Sequence, residues 1–206
     1  QCTDRDPMRT DIVGFSIAAA PGEASYVPTG HQARLGDDGQ LPLPEVLAKL
    51  APVIEDPEVA ITGHNLKFDI VALANNGVTV RGVAFDTMLA AFLLGEGGGA
   101  GRPEEGSLSL KWLVARRLGR DIQEPADLIP KAGRKAEQLT MHQLDADSLG
   151  PAACTCVDMT ARLRDIFEPE LGAKGMRHLF DEIEMPLVGV LARIELNGVA
   201  VDTGTL

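Results

Sequence analysis

Cysteine is scarce in this chain: three in 206 residues, at Cys2, Cys154 and Cys156. An odd, sparse set supplies no disulfide framework and points to a reducing cytoplasm. Cys154-x-Cys156 has no second Cys or His pair at zinc spacing, so the two read as small buried hydrophobes rather than ligands. Positive charge is also in deficit. Nineteen Lys and Arg against 30 Asp and Glu leave a net charge of −11, which argues against a broad nucleic-acid-binding surface. No apolar run approaches the roughly 20 residues that cross a bilayer, so no membrane partner is expected. Neither an initiator Met nor a signal peptide is present, and Gln1-Cys2-Thr3 reads as a polypeptide already in progress.

What is present is ordinary for a globular protein, with 45% hydrophobic and 24% charged residues. The length fits one domain, or one domain with an extension. The charge reverses locally between residues 107 and 135. There Lys111, Arg116, Arg117, Arg120, Lys131, Arg134 and Lys135 face only Asp121, Glu124 and Asp127. This segment reads either as a DNA-facing edge, with Lys111, Arg116, Arg117, Lys131, Arg134 and Lys135 as its contacts, or as a solvated loop and helix face.

Residues 11–19 and 24–28 read as a hairpin around Pro21-Gly22. Leu43, Val46, Leu47, Leu50 and Ile54 recur at helical spacing. A short strand over 59–62 leads to a helix over 66–75, and Val83–Phe85 leads to a helix from Asp86 through Leu94. Gly95 to Gly106 is a glycine-rich loop. Ser107 reads as the cap of the next helix, and another helix is expected from about Pro151. A last helix over 172–196 carries an apolar stripe of Met176, Leu179, Phe180, Ile183, Leu187, Val190, Leu191 and Ile194, kinked at Pro186. A hairpin followed by strands interleaved with helices indicates α/β with a mixed sheet.

Residues 63–69 read Gly-His-Asn-Leu-Lys-Phe-Asp and are followed by Ala84-Phe85-Asp86-Thr87-Met88-Leu89. With "DIVGFSIA…ASYVPTGH", "SLKWL" and "EIEMPLVGVLARIELNGVAVD" in that order, the chain resembles the proofreading 3′–5′ exonuclease region of family A, the bacterial DNA polymerase I family. The resemblance runs from about Asp11 to the C-terminus. It implies a ribonuclease-H-like mixed sheet flanked by helices over residues 1–170. A long helix and the start of a polymerase domain would follow over 171–206. The first strand, bearing an Asp-x-Glu motif, is expected upstream of residue 1, since Asp4-Arg5-Asp6 next to Pro7 reads as a solvated turn.

In that family four carboxylates from three motifs, plus a tyrosine, hold two divalent ions about 4 Å apart for phosphodiester cleavage. Hard Mg²⁺ prefers such carboxylate oxygen. Asn65, Phe68 and Asp69 fit the second motif, with Asp69 as the metal-side acid. Asn65 also reads as a helix cap, and Asp86 as an N-cap. The third motif, Tyr-x-x-x-Asp on a helix, falls on Ala152 and Cys156. Alanine cannot orient water, and a thiol suits Mg²⁺ poorly. Asp158 lies about 200° further round the helix. The resemblance therefore implies a bacterial, cytoplasmic DNA polymerase I fragment whose exonuclease-like domain is degenerate and structural, with no cofactor. The alternative is an active proofreading nuclease on single-stranded DNA. It would use Mg²⁺ or Mn²⁺ and would need Asp158 or Asp147 to replace the missing acid. A third reading is an interaction module docking through the apolar stripe. DNA and the downstream polymerase domain are the expected partners.

Overall fold

Alternation gives β1 (Gly14–Ala20) a less exposed side at Gly14, Ser16, Ala18 and Ala20 while Ile17 and Ala19 face solvent, and it pairs antiparallel with β2 (Glu23–Pro28). Residues 1–3 lie extended against 11–14. Cys2 bridges Ile12, and the Val13 N–H donates to the Gln1 carbonyl over 2.8 Å. These elements belong to a computed structural model that describes residues 1–4, 6–32, 39–96, 108–130, 140–202 and 204. The expected loop over 95–106 lies mostly outside the described residues.

Helix α1 (Leu43–Ile54) precedes β3 (Ile61–Gly63), and α2 (Leu66–Ala74) follows it. Strand β4 (Val83–Asp86) pairs parallel with β3 and runs into α3 (Thr87–Leu93). The α/β class expected from the sequence is what forms, with one antiparallel and one parallel pair among the described strands. Helix α4 (Leu110–Leu118) is capped by Ser109, whose hydroxyl accepts from the Trp112 N–H, and not by Ser107, which lies outside the described residues.

Two helix boundaries differ from expectation. Helix α5 (Ala146–Ala173) starts before Pro151 because Asp145 caps it, accepting the Ser148 N–H at 2.7 Å. Its end is set by Gly175 at φ 68. The Met176 N–H returns to the Leu171 carbonyl over 2.8 Å, the closing bond of a Schellman turn. The expected division at 170/171 therefore falls inside α5. The chain then makes α6 (Arg177–Leu179), a π-helical turn at Phe180–Glu184, and α7 (Met185–Asn197). The wide turn lies just before Pro186, where the ring lacks the N–H that Glu182 would otherwise receive. It also advances the register. Phe180, Met185, Val188 and Ala192 turn inward, while Ile183, Leu187, Val190, Leu191 and Ile194 face solvent, so the single stripe read from the sequence divides between two faces.

Helix α5 crosses the β1–β2 hairpin on one side and packs against α3 and α4 on the other. Phe85, Leu113, Leu163, Phe167 and Phe180 close the core there, with the Phe85 and Phe180 ring centroids 4.8 Å apart. Phe167 is fully buried. Phe167→Ala is expected to cost about 3–5 kcal/mol of stability, measured by urea denaturation of the chain.

Candidate active-site cleft

The parallel strands β3 and β4 end side by side, Gly63 opposite Asp86, and each feeds a helix. Crevices beyond the carboxyl ends of parallel strands are where such folds place ligands. The Leu66 side chain packs tightly against Gly63, where a Cβ would make it shift. Helix α2 begins without a cap of its own. The Asn65 side chain makes no capping bond, contrary to the expectation for it, and its backbone is left-handed at φ 64. Asn65 is the only non-glycine with positive φ among the described residues.

Asp86 supplies what α2 lacks. The expected N-cap role is present, since Asp86 Oδ1 accepts the Met88 and Leu89 N–H groups of α3 at 2.8 and 3.4 Å. The same carboxylate also accepts the Asn65 N–H at 3.1 Å through Oδ1 and the Leu66 N–H at 2.7 Å through Oδ2. Asp86 is 2% exposed. Buried hydrogen bonds to a charged group contribute about 1.5–3 kcal/mol each. The Thr87 hydroxyl donates to the Gly63 carbonyl over 3.1 Å and lies 2.9 Å from His64 Nδ1, bracing the same turn.

An open cleft of about 390 Å³ is lined by Gln1, Cys2, Asp4, Asn65, Phe68 and Asp69. The second motif is thus gathered in one place, beside the N-terminal strand segment. Asp4 also makes the local turn expected of it, accepting the Asp6 N–H at 2.9 Å. The outer face of Asp69 meets solvent. Crowding by the protein behind it pushes its carboxyl up to about 6, opposed by the chain's amino terminus and reinforced by Asp86. Burial raises the Cys2 thiol as well.

The third-motif positions stand elsewhere. No residue of α5 lines the cleft. Cys156 packs against the core, and burial, with Glu124 and Asp127 nearby, pushes its thiol up to about 12. Ala152 lies one helical turn before it. Gly150, on another side of the helix, meets the Tyr26 ring. Asp158 is committed to the hairpin, with Oδ1 accepting the Gly22 N–H at 2.6 Å and Oδ2 the Arg162 Nε–H at 3.0 Å. Burial opposes its charge, but those two donors hold its carboxyl below the ordinary value. Asp147 is exposed in the first turn of α5.

Three described cations of the basic segment, Lys111, Arg116 and Arg117, are paired. Lys111 meets Asp127 at 2.8 Å and Arg116 meets Glu96 at 2.9 Å, while Arg117 joins Glu96 and Glu170. Arg116 also lies 5.1 Å from the Trp112 ring centroid. Lys131, Arg134 and Lys135 lie outside the described residues. Two contacts left no sequence signal, the Asp86 bonds to α2 and the ion pair of Lys67 with Glu195 that joins α2 to α7.

Among the described residues, no three His, Cys, Asp or Glu side chains gather as a metal site. The cleft offers two carboxylates, Asp4 and Asp69, beside a protonated thiol and the two amides of Gln1 and Asn65. Mg²⁺ is commonly held through one or two carboxylates and water, so these two acids are fewer than the four that the resemblance implies for a pair of ions.

A family model described as 3′–5′ exonuclease matches residues 2–171. DNA polymerase I of Pseudomonas aeruginosa is 39% identical over 209 residues, covering 100% of this chain and 22% of that protein. DNA polymerase I of Chloroflexus aurantiacus is 35% identical over 204 residues, covering 98% of this chain and 20% of that protein. The chain thus spans about a fifth of the length of these relatives. The POL domain of Pol1 from M. smegmatis, solved in complex with DNA primer-template and dNTP, superimposes with a TM-score of 0.70 at 26% identity, over 98% of this chain and 28% of that one. NrnC of Brucella melitensis with bound Mg²⁺ shares the fold, with a TM-score of 0.64 at 19% identity, over 98% and 86% of the two chains.

Asn65→Ala places a Cβ-bearing residue with no polar side chain in the left-handed region and is expected to lose about 1 kcal/mol, whereas Asn65→Gly stays near wild type in the same chemical melt. The raised Asp69 carboxyl means that the folded state holds its proton longer than the unfolded state. Stability contributed below pH 3.8 is therefore lost as pH rises toward about 6. Asp69→Asn is expected to flatten that decline in melting temperature against pH, by a small amount because its outer face is wet.

Proposed function

The chain belongs to the 3′–5′ exonuclease family of family A DNA polymerases, and from that premise we propose that it is a degenerate, structural member of the family. The observation that carries the reading is the placement of the acids. Asp69 keeps the family position in the cleft, with Asp4 beside it. Of the two acids that could replace the missing third-motif acid, Asp158 is spent on the hairpin turn and Asp147 stands exposed in the first turn of α5, and neither lines the cleft; Asp86 is spent on two helix starts. Cys156, whose position the family gives to an acid, faces the core as a protonated thiol.

The positive role in this proposal belongs to α7. One face packs against α2 and joins it through Lys67 and Glu195. The other presents Leu187, Val190, Leu191 and Ile194 to solvent, continued by Ile183 of the π-helical turn. A continuous aliphatic face of this kind suits an apolar partner. In the parent protein that partner is the polymerase domain, and DNA contact and a cytoplasmic location come with it. Among the described residues no helix is long and apolar enough to cross a membrane.

The test reconstitutes the domain with the strand expected upstream of residue 1 and incubates it with a labelled single-stranded oligonucleotide and either Mg²⁺ or Mn²⁺. The expected result is no loss of 3′ nucleotides above that given by Asp69→Ala. Metal-dependent shortening that Asp69→Ala abolishes would overturn the degenerate reading and restore the active proofreading nuclease.

A further inference from the structure

We propose that Asp86 is the positioning residue of the cleft: by holding the first two N–H groups at the start of α2, it fixes where Asn65, Phe68 and Asp69 stand. The inference rests on the assignment of the cleft to the family's site, but not on whether that site cuts DNA.

Three observations carry it. First, among the described residues the head of α2 has little other support, the Phe68 N–H turning back to the Asn65 carbonyl at 3.0 Å. The four leading N–H groups of a helix lack intrahelical partners, and the residue placed to satisfy one of them, Asn65, instead adopts a left-handed backbone and makes no side-chain cap. The left-handed turn points the Asn65 and Leu66 N–H groups together at one carboxylate, as two successive N–H groups do in an anion-binding nest. Second, Asp86 is itself immovable. It is 2% exposed, it ends a strand whose neighbour is Gly63, and it caps α3 at the same time. Third, a parallel tether confines the turn between β3 and α2, because Thr87, the next residue, reaches the Gly63 carbonyl and His64. Residues 63–66 are therefore held from one side by residues 86 and 87. Asp69 lies one helical turn beyond Asn65, so a shift at the head of α2 moves its carboxyl with little attenuation.

Charge is essential to the arrangement. Four N–H donors converge on one side chain, and only a carboxylate offers acceptors at both ends. Asp86→Asn keeps the size and shape but turns an amide N–H₂ toward at least one of those donors. The predicted damage is local to the head of α2 or α3, which separates positioning from bulk packing.

The experiment is nuclear magnetic resonance on the labelled chain of 206 residues, without metal or DNA. In the wild type, scalar couplings across the hydrogen bonds are expected from the Asn65 and Leu66 amide nitrogens to the Asp86 carboxyl carbon. In Asp86→Asn, exchange of whichever of those two amides meets the new N–H₂ is expected to quicken by at least about tenfold, the scale of one lost charge-assisted hydrogen bond. The Phe68 and Asp69 amide resonances are expected to move, while Leu163 and Phe167 keep their wild-type exchange. Absent wild-type couplings overturn the proposal. So does an Asp86→Asn spectrum in which residues 65–69 are unchanged, or one in which Leu163 and Phe167 quicken equally. If Asp86→Asn does not fold, the wild-type couplings decide alone. DNA cleavage would sink the degenerate reading and leave this inference standing; missing couplings would do the reverse.

Discussion

A single buried carboxylate cannot be left without donors, and here that constraint organises the whole parallel half of the fold. Isolated in an apolar interior, the Asp86 charge would be prohibitive. Surrounded by four backbone N–H groups, it becomes a junction that two helices share. Helix α2 needs the junction because its own first residue cannot cap it, and α3 needs it because Asp86 is its N-cap. The pairing of β3 with β4 brings both helix starts within reach of one side chain. The cleft is the open space that this arrangement leaves between α2 and the strand segment at residues 1–4.

The opposite half of the molecule is governed by α5, whose faces have separate duties. One presents Leu163, Phe167 and Leu171 to the core, and another holds the hairpin through Asp158 and Arg162. A long helix crossing so many neighbours is a natural platform for catalytic side chains. In this chain Asp158 and Arg162 join α5 to the hairpin, and none of its residues lines the cleft. The ion pairs of Arg116 and Arg117 continue the pattern, tying α4 to Glu96 and Glu170. Ion pairs with exposed partners add little stability, but these orient the helices that carry the core.

Much of this was legible in the order of residues, and what was not has physical causes. The hairpin, α1 at Leu43–Ile54 and the gathering of Asn65, Phe68 and Asp69 follow from period and local motif. Asp86 was readable as an N-cap because Met88 and Leu89 lie two and three residues on. Its bonds to Asn65 and Leu66 span about twenty residues, and no local pattern encodes them. The start of α5 was misplaced because Pro151 is a stronger sequence signal than the Asp145 cap that overrules it. The apolar stripe from Met176 to Ile194 looked like one face because a constant 3.6-residue period was assumed, and the π-turn at Phe180–Glu184 breaks that period.

The neighbourhood of Trp112 has an optical consequence. Trp112 is the sole tryptophan and Tyr26 the sole tyrosine. The indole sits on α4 beside Arg116, against the core shared with α3 and α5, and Tyr26 is engaged with His31 on the hairpin. Neither chromophore lines the cleft. Intrinsic fluorescence therefore watches the α5 side of the molecule more than α2: the helix that borders the cleft could loosen in the dark while the emission spectrum stayed native.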